Sequence, residues 1–546
     1  MDNFIYMKTA LEIIRKQEND YNNSDTQISE HVQFSPKDNI DKIEAYLNSK
    51  HITGEVDSLG REKPFFNIVT GASNVWYRAT DIDRANIRIK SVNSSGHTTA
   101  ILANAKSKEW MRKANFGVWL NTWGLALAQY GSAVSKFVVV DGKLIAKVVP
   151  WNRLIIDAIE FEGNPVIEKN YYTPAQLREN ELFDKEQVES LISGATQARE
   201  TTNGDKVDTK ADYIEVYELH GQFSKEMITE KESDEDTYVQ QVHICSFIET
   251  MKDGKTEYLD YTLYKGQEDN PYHIAHLIKQ DGRSLSIGAV EHLFESQWMV
   301  NHNEKSIKDQ NDLAKIVWQT SDPAYQGKNT GDLDNGSILY TEPNQGLTRL
   351  ENSTDVGSLQ SSKQDWQNQA SEVSSTPDSL RGVTPPSGTA LGTVQITTSQ
   401  GLSLFELMTE NKGLALEEIW REWVIPNIKK ELDTKDEIVA ALDSMSIKQV
   451  DSLYIPNEAR RRYNEQAVEK VIVALETDDM SKVPEAFDAN TEERAVADDM
   501  SSLGDTRYFK PDELDEKTWK MVFDDFEWNV EIEVTNEQSD KQAMLS

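Results

Sequence analysis

Hydrophobic positions in the first half of the chain follow a helical period and then a two-residue period. Residues 1–130 read mainly as helices, and Ser35-Pro36 has the form of an N-cap with proline at the first helical position, which predicts a helix start. The run from Thr98 to Tyr130 predicts one long helix. Asp141-Gly142 lies between two alternating segments and predicts a β-hairpin.

Alternating segments at residues 212–223, 237–249 and 257–266 predict three further strands. An acidic stretch near Glu232 predicts a solvated loop between two of them. The fold class predicted from these patterns is therefore α+β, predominantly helical because the second half returns to helical spacing.

Two later helical patterns carry only a thin apolar stripe. The first, from Ser284, has no proline, and its apolar positions repeat every seven residues at Leu293, Val300, Ile307 and Ala314. The second places on one stripe Val356, Leu359, Trp366, Ala370 and Val373. The insert between these two helices contains one predicted strand, at residues 337–343. Two long helices with thin apolar seams joined in this way are unusual in a globular domain.

An uncharged loop, TPPSGTALG at Thr384–Gly392, separates the second thin-seamed helix from a strongly apolar helical pattern. Two prolines limit its flexibility and two glycines permit a sharp turn. The apolar pattern predicts a helix that stops or kinks at Pro426 and is buried on most sides, with Leu407 and Leu414 widening its apolar face. Beyond residue 433 the pattern predicts shorter acidic helices and, at 528–538, a strand.

Composition narrows the class of protein. The 546 residues allow two or more domains, and 57 basic against 93 acidic residues leave a formal net charge of −36, which disfavours tight nonspecific binding of DNA. A single cysteine, Cys245, rules out a disulfide within the chain. The chain shows neither a signal peptide at its start nor an apolar run long enough to span a membrane, so we expect a soluble intracellular protein or part of an assembly built there.

Motifs for enzyme chemistry are weak or absent. His273 and His276 form an HxxH pattern in an apolar segment, where structural histidines are more common than metal ligands. The segment from Asp332 resembles a calcium loop but has glycine at the fifth position and Pro343 at the twelfth. No GxxxxGK[ST] or GxSxG motif occurs, and glycine spacing in TPPSGTALG does not fit a phosphate loop. We therefore predict a protein that is not an enzyme and needs no cofactor or metal.

Basic residues in two places allow more than one interpretation. Lys305, Lys308 and Lys315 lie among acidic residues on the first thin-seamed helix, where a solvated face explains them about as well as a functional one. The cluster Arg460–Arg462 is more typical of an intersubunit salt-bridge site than of a nucleic-acid patch, given the surrounding acidity.

The order of these elements resembles the portal proteins of tailed double-stranded DNA bacteriophages. The most specific pieces are the helix entry around Gly282 to Asn303, of the form G-x-S-x-x-E/Q-N, and the P-D…G…S-G-x-A-L run from Pro377 to Leu391. The resemblance in architecture covers nearly the whole chain, and it is least specific in the first 60 residues and after about residue 470.

The resemblance implies a ring, usually of twelve subunits, with a central channel. It divides the chain by role: a wing at 1–283, a first stem helix at 284–318 and a clip at 319–352. A second stem helix at 353–377, a tunnel loop at 378–395, a long wing helix at 396–432 and a crown-like region at 433–546 follow.

The resemblance also implies roles for individual residues. The tunnel loop around the DNA would contain Arg381, Thr384, Pro385, Pro386, Ser387, Gly388 and Thr389. The channel face of the stem would carry Lys305, Lys308, Lys315 and Lys363. The apolar seams of the stem would be Leu293, Val300, Ile307, Leu359, Trp366 and Val373. Docking of partners at the clip would use Tyr325, Lys328, Tyr340 and Arg349.

The expected partners follow from the same resemblance. They are further copies of the chain, double-stranded DNA passing through the channel, the large terminase subunit, a head–tail adaptor, and the major capsid protein with scaffold as a further candidate. The expected location is the portal vertex of the virion, after assembly in the host cytoplasm, with no membrane. Two alternatives stay open: an acidic structural or adaptor protein that forms a coiled coil, and an enzyme whose site is assembled only in space.

Overall fold

A computed structural model describes most of the chain, and the statements below concern that part. The described residues are 9–23, 26–29, 32–57, 60–84, 87–92, 97–200, 206–229, 238–252, 255–313, 317–320, 322–323, 338–340, 348–350, 356–376, 380, 391–433, 438–477, 486–509 and 528–532. Helix and sheet are mixed, as the sequence predicts.

Helices occur along the whole described chain. They are α1 Ala10–Asn23, α2 Pro36–Leu47, α3 Val69–Ala79, α4 His97–Lys113, α5 Phe116–Tyr130, α6 Pro174–Glu179, α7 Lys185–Gly194, α8 Glu226–Thr229, α9 Phe294–Leu313, α10 Val356–Val373, α11 Leu391–Ile419, α12 Ile425–Asp433, α13 Ser444–Thr477 and α14 Ala489–Ser502. Short 3₁₀ turns are Trp151–Arg153 and Glu291–Leu293, and a π-helical turn is Trp420–Val424.

Strands concentrate between residues 132 and 276. They are β1 Thr26–Ser29, β2 Val32–Phe34, β3 Ile87–Ser91, β4 Ser132–Val140, β5 Lys143–Val149, β6 Leu154–Ile155, β7 Val166–Tyr172, β8 Thr196–Glu200, β9 Lys206–Lys210, β10 Ile214–Ser224, β11 Tyr238–Lys252, β12 Lys255–Gly266, β13 Tyr272–His276, β14 Val317–Thr320, β15 Ile338–Tyr340, β16 Thr348–Leu350, β17 Ile438–Ala441, β18 Thr506–Phe509 and β19 Trp528–Ile532.

The chain folds into two compact units. The first comprises residues 1–81, 121–136 and 147–412, and the second comprises 82–120, 137–146 and 413–546. The sequence suggests a division by role, with a first region that ends at residue 283. That division does not concern compactness, and it stays a prediction.

The first unit is organised around an antiparallel sheet with strand order β12-β11-β10-β7-β6. Helix α1 packs its apolar side, including Ile13 and Ile14, against one part of this sheet, where Cys245 is also buried. Helices α6 and α7 cover another part through Leu177 and Leu191. Because inward and outward side chains alternate along a strand, both faces of this sheet can be covered by helices.

The second unit has a core rich in aromatic rings. Trp420 meets Trp110 and Phe116 edge-on, with ring centroids 5.8 and 5.1 Å apart, and Phe116 stacks on Trp119 at 4.9 Å. Strand β19 pairs with β3, and β17 pairs with β18, both antiparallel. The C-terminal strand predicted at 528–538 is therefore confirmed at 528–532.

Several local predictions are confirmed by the structure. The Ser35 side chain accepts a hydrogen bond from the Asp38 amide at 3.3 Å, which caps α2 with Pro36 at its first position. Asp141 and Gly142 both have positive φ, 51° and 72°, as a two-residue turn between β4 and β5 requires. The three alternating segments between residues 212 and 266 form β10, β11 and β12.

Two predicted helix extents are wrong. The run from residue 98 to 130 is broken between α4 and α5, where Asn115 has a left-handed φ of 52°. The segment before α9 is not helical from Ser284, because its backbone is bonded to other parts of the chain: the Ala289 amide donates to the Ala128 carbonyl at 3.0 Å. A Cβ on Gly288 would lie 2.3 Å from the Gln129 carbonyl oxygen, so this approach requires glycine.

The later part of the chain also differs from prediction. Around residues 319–352 there are three short strands rather than one: β14 pairs in parallel with β15 and antiparallel with β16. Pro426 does not stop the long helix, since a π-helical turn directly before it accommodates a residue that cannot donate a hydrogen bond. Leu407 and Leu414 are exposed, so the apolar face is narrower than predicted. Helix α13 is 34 residues long, not one of several short helices.

Candidate assembly surface

Helices α9 and α10 pack against each other within the first unit, and polar contacts join them. The Asn303 side chain donates to the Ser362 hydroxyl at 3.1 Å, and Lys363 forms an ion pair with Glu304 at 2.5 Å. The two contacts join consecutive residues of α9 to consecutive residues of α10. Together they hold the two helices at one alignment along their length. The two helices lie within residues 284–318 and 353–377, for which the stem role stays a prediction.

The residues predicted to form the apolar seams are buried to different extents on the two helices. Val300 and Ile307 on α9, and Leu293 in the 3₁₀ turn directly before it, are all buried within a single chain. On α10, Leu359 and Trp366 are half-buried and Val373 is 46% exposed, whereas the residue buried most deeply is Ala370. The α9 seam is therefore covered by the chain's own side chains, including those around Tyr46 and Val69, without a second copy.

Two amides on α9 hold an extended segment against the helix. Gln297 accepts a hydrogen bond from the Ile68 amide at 2.9 Å and donates to the Phe66 carbonyl at 2.8 Å. Asn301, one turn later, accepts from the Phe66 amide at 3.0 Å. Because both side chains are buried, these bonds satisfy backbone groups that would otherwise be costly to bury. This pair was not predicted from the sequence, although Gln297 and Asn301 have the i,i+4 spacing of one helix face.

The lysines predicted for a channel face contact residues 57–66 of the same chain. Lys305 lies 3.8 Å from Asp57, and the Lys308 ammonium donates to the Glu62 carbonyl at 2.7 Å. Lys363 lies 4.1 Å from the centroid of the Phe66 ring. Lys315 lies outside the described residues.

A groove beside α9, which we call the Trp298 groove, is the exposed aromatic feature of this surface. The Trp298 side chain is 52% exposed and stacks on His302, with centroids 5.5 Å apart and planes 16° from parallel. The groove has a cavity volume of about 270 Å³, and its lining includes His51, Ile52, Lys63, Trp298, His302 and Lys305. Trp298 lies outside the seven-residue seam, and a large aromatic residue off the seam of a polar helix is a signal that sequence reasoning could have used.

The C-terminal end of α10 is anchored to α3 and to the residue that follows α3. The Trp76 indole donates to the Ser374 carbonyl at 2.8 Å, and Arg78 donates to the Leu380 carbonyl at 2.7 Å. Ser375 has a left-handed φ of 52°, which ends the helix. The predicted tunnel loop follows immediately, and its residues Arg381, Thr384, Pro385, Pro386, Ser387, Gly388 and Thr389 lie outside the described residues.

Two of the four residues predicted for partner docking are described. Tyr340 ends β15 and is half-buried, and Arg349 is the central residue of β16, paired with Trp318. Tyr325 and Lys328 lie outside the described residues.

The HxxH histidines are structural groups in β13. His273 and His276 are three residues apart on a strand, so their side chains lie on opposite faces. His276 contacts the Ser132 and Ser286 hydroxyls at 2.8 and 3.0 Å, and burial lowers its pKa to about 4, which keeps the ring neutral. Within the described residues, no cluster of three or more His, Cys, Asp or Glu side chains could hold a metal ion.

Two other candidates are also explained by local packing. Cys245 is buried, and burial raises the pKa of its thiol to about 12, which leaves it unreactive. Arg461 pairs with Glu458, and Arg462 pairs with Glu458 and Asp499, while a contact of this cluster between subunits stays a prediction. Of the helices that the structure describes, none has the length and apolar character needed to span a membrane.

Comparisons with known proteins give little guidance. No protein-family model matches the chain, and no curated protein matches it. Among solved structures, the chain is similar to one from the virion of a native gene transfer agent particle, with 9% identity over 67% of this chain and 74% of that one, at a TM-score of 0.27. A second is from the neck of an empty gene transfer agent particle, with 10% identity over 67% and 75% and the same TM-score. Such a score does not establish a shared fold.

Proposed function

We propose that this chain is the subunit of a phage portal: a ring at one capsid vertex through which double-stranded DNA is packaged and later ejected. In this role it is a non-enzymatic virion protein that docks first the large terminase subunit and then a head–tail adaptor. The motor that hydrolyses nucleotide is a separate partner.

The observation that carries the proposal is the α9–α10 pair. Two helices run side by side, joined by polar contacts, and leave mostly polar side chains on their outward faces. Between them the chain forms the small sheet of β14, β15 and β16. This sequence of helix, small sheet and helix is the stem and clip arrangement that the resemblance to portal proteins implies.

Charge is consistent with a channel that conducts DNA. A formal net charge of −36 repels phosphate groups, so a DNA duplex can pass without being captured. Lysines on α9 and α10 are held close to carboxylates, carbonyls or an aromatic ring of the same chain, which limits how strongly each can attract a phosphate.

Electron microscopy of negatively stained full-length protein, together with native mass measurement, tests the proposal. We expect rings of about twelve subunits with a central hole. Dimers or trimers in compact particles would contradict the portal and favour an acidic coiled-coil adaptor.

A second experiment tests the role of the loop between α10 and α11. Deletion of Thr384 to Gly388 should leave ring assembly intact and impair DNA packaging or retention, because small uncharged residues there would line the narrowest part of the channel. Normal packaging by the deletion variant would refute the tunnel-loop assignment.

A further inference from the structure

The outward face of α10 is acidic and free of large side chains. At about 100° per residue, the side of α10 opposite Ala370 and Lys363 carries Ser361, Asp365, Asn368, Gln369 and Glu372, which we call the acidic face. All five side chains are exposed, and within the described residues neither Asp365 nor Glu372 forms an ion pair.

The Trp298 groove lies on the opposite side of the helix pair from this face. On α9, Asn303 points to α10, where it bonds to Ser362. Trp298 is five residues from Asn303 and Lys305 is two residues from it, which places both roughly 140–160° away around the helix axis. One rigid pair of helices therefore presents an aromatic groove on one side and an acidic face on the other.

Within the described residues, Lys63, Lys305 and Arg61 lie at or beside the groove with two carboxylates, those of Asp57 and Asp309, so positive charge is in slight excess there. Among these residues the Lys63 ammonium contacts neutral oxygens, the Gly54 carbonyl at 2.8 Å and the Thr53 hydroxyl at 3.1 Å. Lys305 is 3.8 Å from Asp57, which Arg61 already engages at 2.9 Å. Two lysines at the groove thus match two unpaired carboxylates on the acidic face.

We infer that the acidic face of one copy of this chain docks into the Trp298 groove of the next copy. The indole of Trp298 would pack on the serine and amide side chains, while Asp365 and Glu372 would pair with Lys305 and Lys63. Because the two surfaces differ and lie on opposite sides, the contact is head-to-tail, and repetition of one rotation closes it into a ring. This inference rests on the proposed portal function and places the contact between copies outside the buried seam of α9.

A second copy fits the groove better than DNA does. The carboxylates of Asp57 and Asp309 lie close to Lys305 and Arg61, which opposes a densely charged polyanion such as a DNA duplex more than a helix face with two carboxylates among neutral side chains. An exposed tryptophan is more typical of the centre of a protein interface, where truncation of such a side chain has its largest effect.

Truncation of the aromatic residue is the first test. In full-length protein, Trp298→Ala should raise the concentration at which half of the chains are assembled into rings by about tenfold or more. Tyr213→Ala, which removes an aromatic side chain that is 65% exposed elsewhere in the same unit, is the matched control and should assemble normally. Equal assembly of Trp298→Ala and wild type would overturn the inference.

A charge swap is the second test, because one chain carries both sides of the contact. Lys305→Glu and Asp365→Lys should each reduce assembly, and the double variant should recover it. Lys279→Glu is the control, since Lys279 lies 3.9 Å from a single carboxylate, that of Glu160. A double variant no better than the weaker single variant contradicts the inference, and unchanged thermal melting of each variant shows that folding is not the cause.

These experiments separate the inference from the proposed function. If wild-type protein forms no rings, the portal proposal fails. If wild type and the groove variants all form rings at equal yield, the portal proposal stands and the inference fails. If Lys305→Glu rings assemble normally but no longer package DNA, the groove contacts nucleic acid, which also overturns the inference.

Discussion

The two compact units bury different kinds of side chain. In the first, Lys136 is buried between Glu168 and Glu218, at 2.8 and 2.6 Å, and Tyr272 donates to Glu168 at 2.7 Å. In the second, aromatic rings surround the buried Trp420, whose indole donates a hydrogen bond to the Ser107 hydroxyl at 3.0 Å. A charge cluster therefore lies in the first unit beside its apolar clusters, and an aromatic cluster lies in the second unit, which also buries the ion pair of Arg507 with Asp451.

This difference in buried side chains determines which change should lower the stability of each unit. Burial raises the pKa of a carboxyl group, but in Glu218 the hydrogen bond with His220 and the charge of Lys136 outweigh burial and lower the pKa to about 2. The aromatic core has no comparable group among the rings at its centre. We therefore expect the group of Lys136, Glu168 and Glu218 to respond to pH, and the rings around Trp420 to respond to changes in side-chain volume.

Loss of the central ring should give the largest effect. Trp420→Ala removes a fully buried side chain and leaves a cavity, so the free energy of unfolding of the second unit should fall by about 4 kcal/mol. Hydrogen exchange followed by mass spectrometry should show loss of protection in peptides of the second unit. Unchanged protection there would contradict an aromatic core, and Trp298→Ala, at an exposed position, is the control.

Loss of the central lysine should come next. Lys136→Met leaves two buried carboxylates without their cation, at a cost of about 3 kcal/mol in the free energy of unfolding of the first unit. Lys279→Met, at an exposed lysine, should change stability little. A triple variant that also carries Glu168→Gln and Glu218→Gln should recover part of the loss, and no recovery would argue against charge imbalance as its cause.

Acid should weaken the first unit through Glu218. The folded-state pKa of Glu218 is about 2, below its ordinary 4.5, so its contribution is present above pH 4.5 and is lost as pH falls towards 2. This loss should amount to about 2 kcal/mol and should be absent in Glu218→Gln. Denaturant titrations from pH 5 to pH 2, with peptide-level hydrogen exchange, would measure it. A loss of the same size in Glu218→Gln would contradict this role of Glu218.

Replacement of another buried lysine in the first unit should change the free energy of unfolding least, and should raise it instead of lowering it. Lys412 is buried, its ammonium donates to the Thr80 carbonyl at 2.8 Å, and burial lowers its pKa to about 8 despite the nearby Asp81. Between pH 8 and 10.5 the unfolded chain binds more protons than the folded chain, so stability should rise with pH.

Replacing that lysine tests this directly. Lys412→Met should stabilise the first unit by about 1 kcal/mol at pH 7, since removal of the buried charge outweighs loss of one hydrogen bond, and should abolish the rise with pH. Thermal melting at pH 7, 8 and 10 would check both. A destabilised variant would show that the bond to Thr80 is worth more than the desolvation.

Part of the candidate site could be predicted from sequence. The seven-residue spacing places Leu293, Val300 and Ile307 on one face, because helical periodicity reports which positions share a face, and all three are buried in the single chain. Their role in a seam of the stem stays a prediction. Helical periodicity does not show which surface covers that face. In this structure, side chains of the same chain cover it. The Trp298 groove was not predicted, since it forms only when residues 51–63 lie beside α9.

The sequence by itself determined the elements whose causes are local. The Ser35 cap, the Asp141-Gly142 turn and the alternating strands follow from side-chain hydrogen bonding, from backbone conformational preference and from two-residue periodicity, all of which act within a few residues. Only the tertiary structure decided where Lys136, Glu168 and Glu218 meet, why the chain from Ser284 to Val290 is not helical, and which face of α10 is left exposed. Those outcomes depend on contacts between residues far apart in the chain, whose free energy outweighs local propensity.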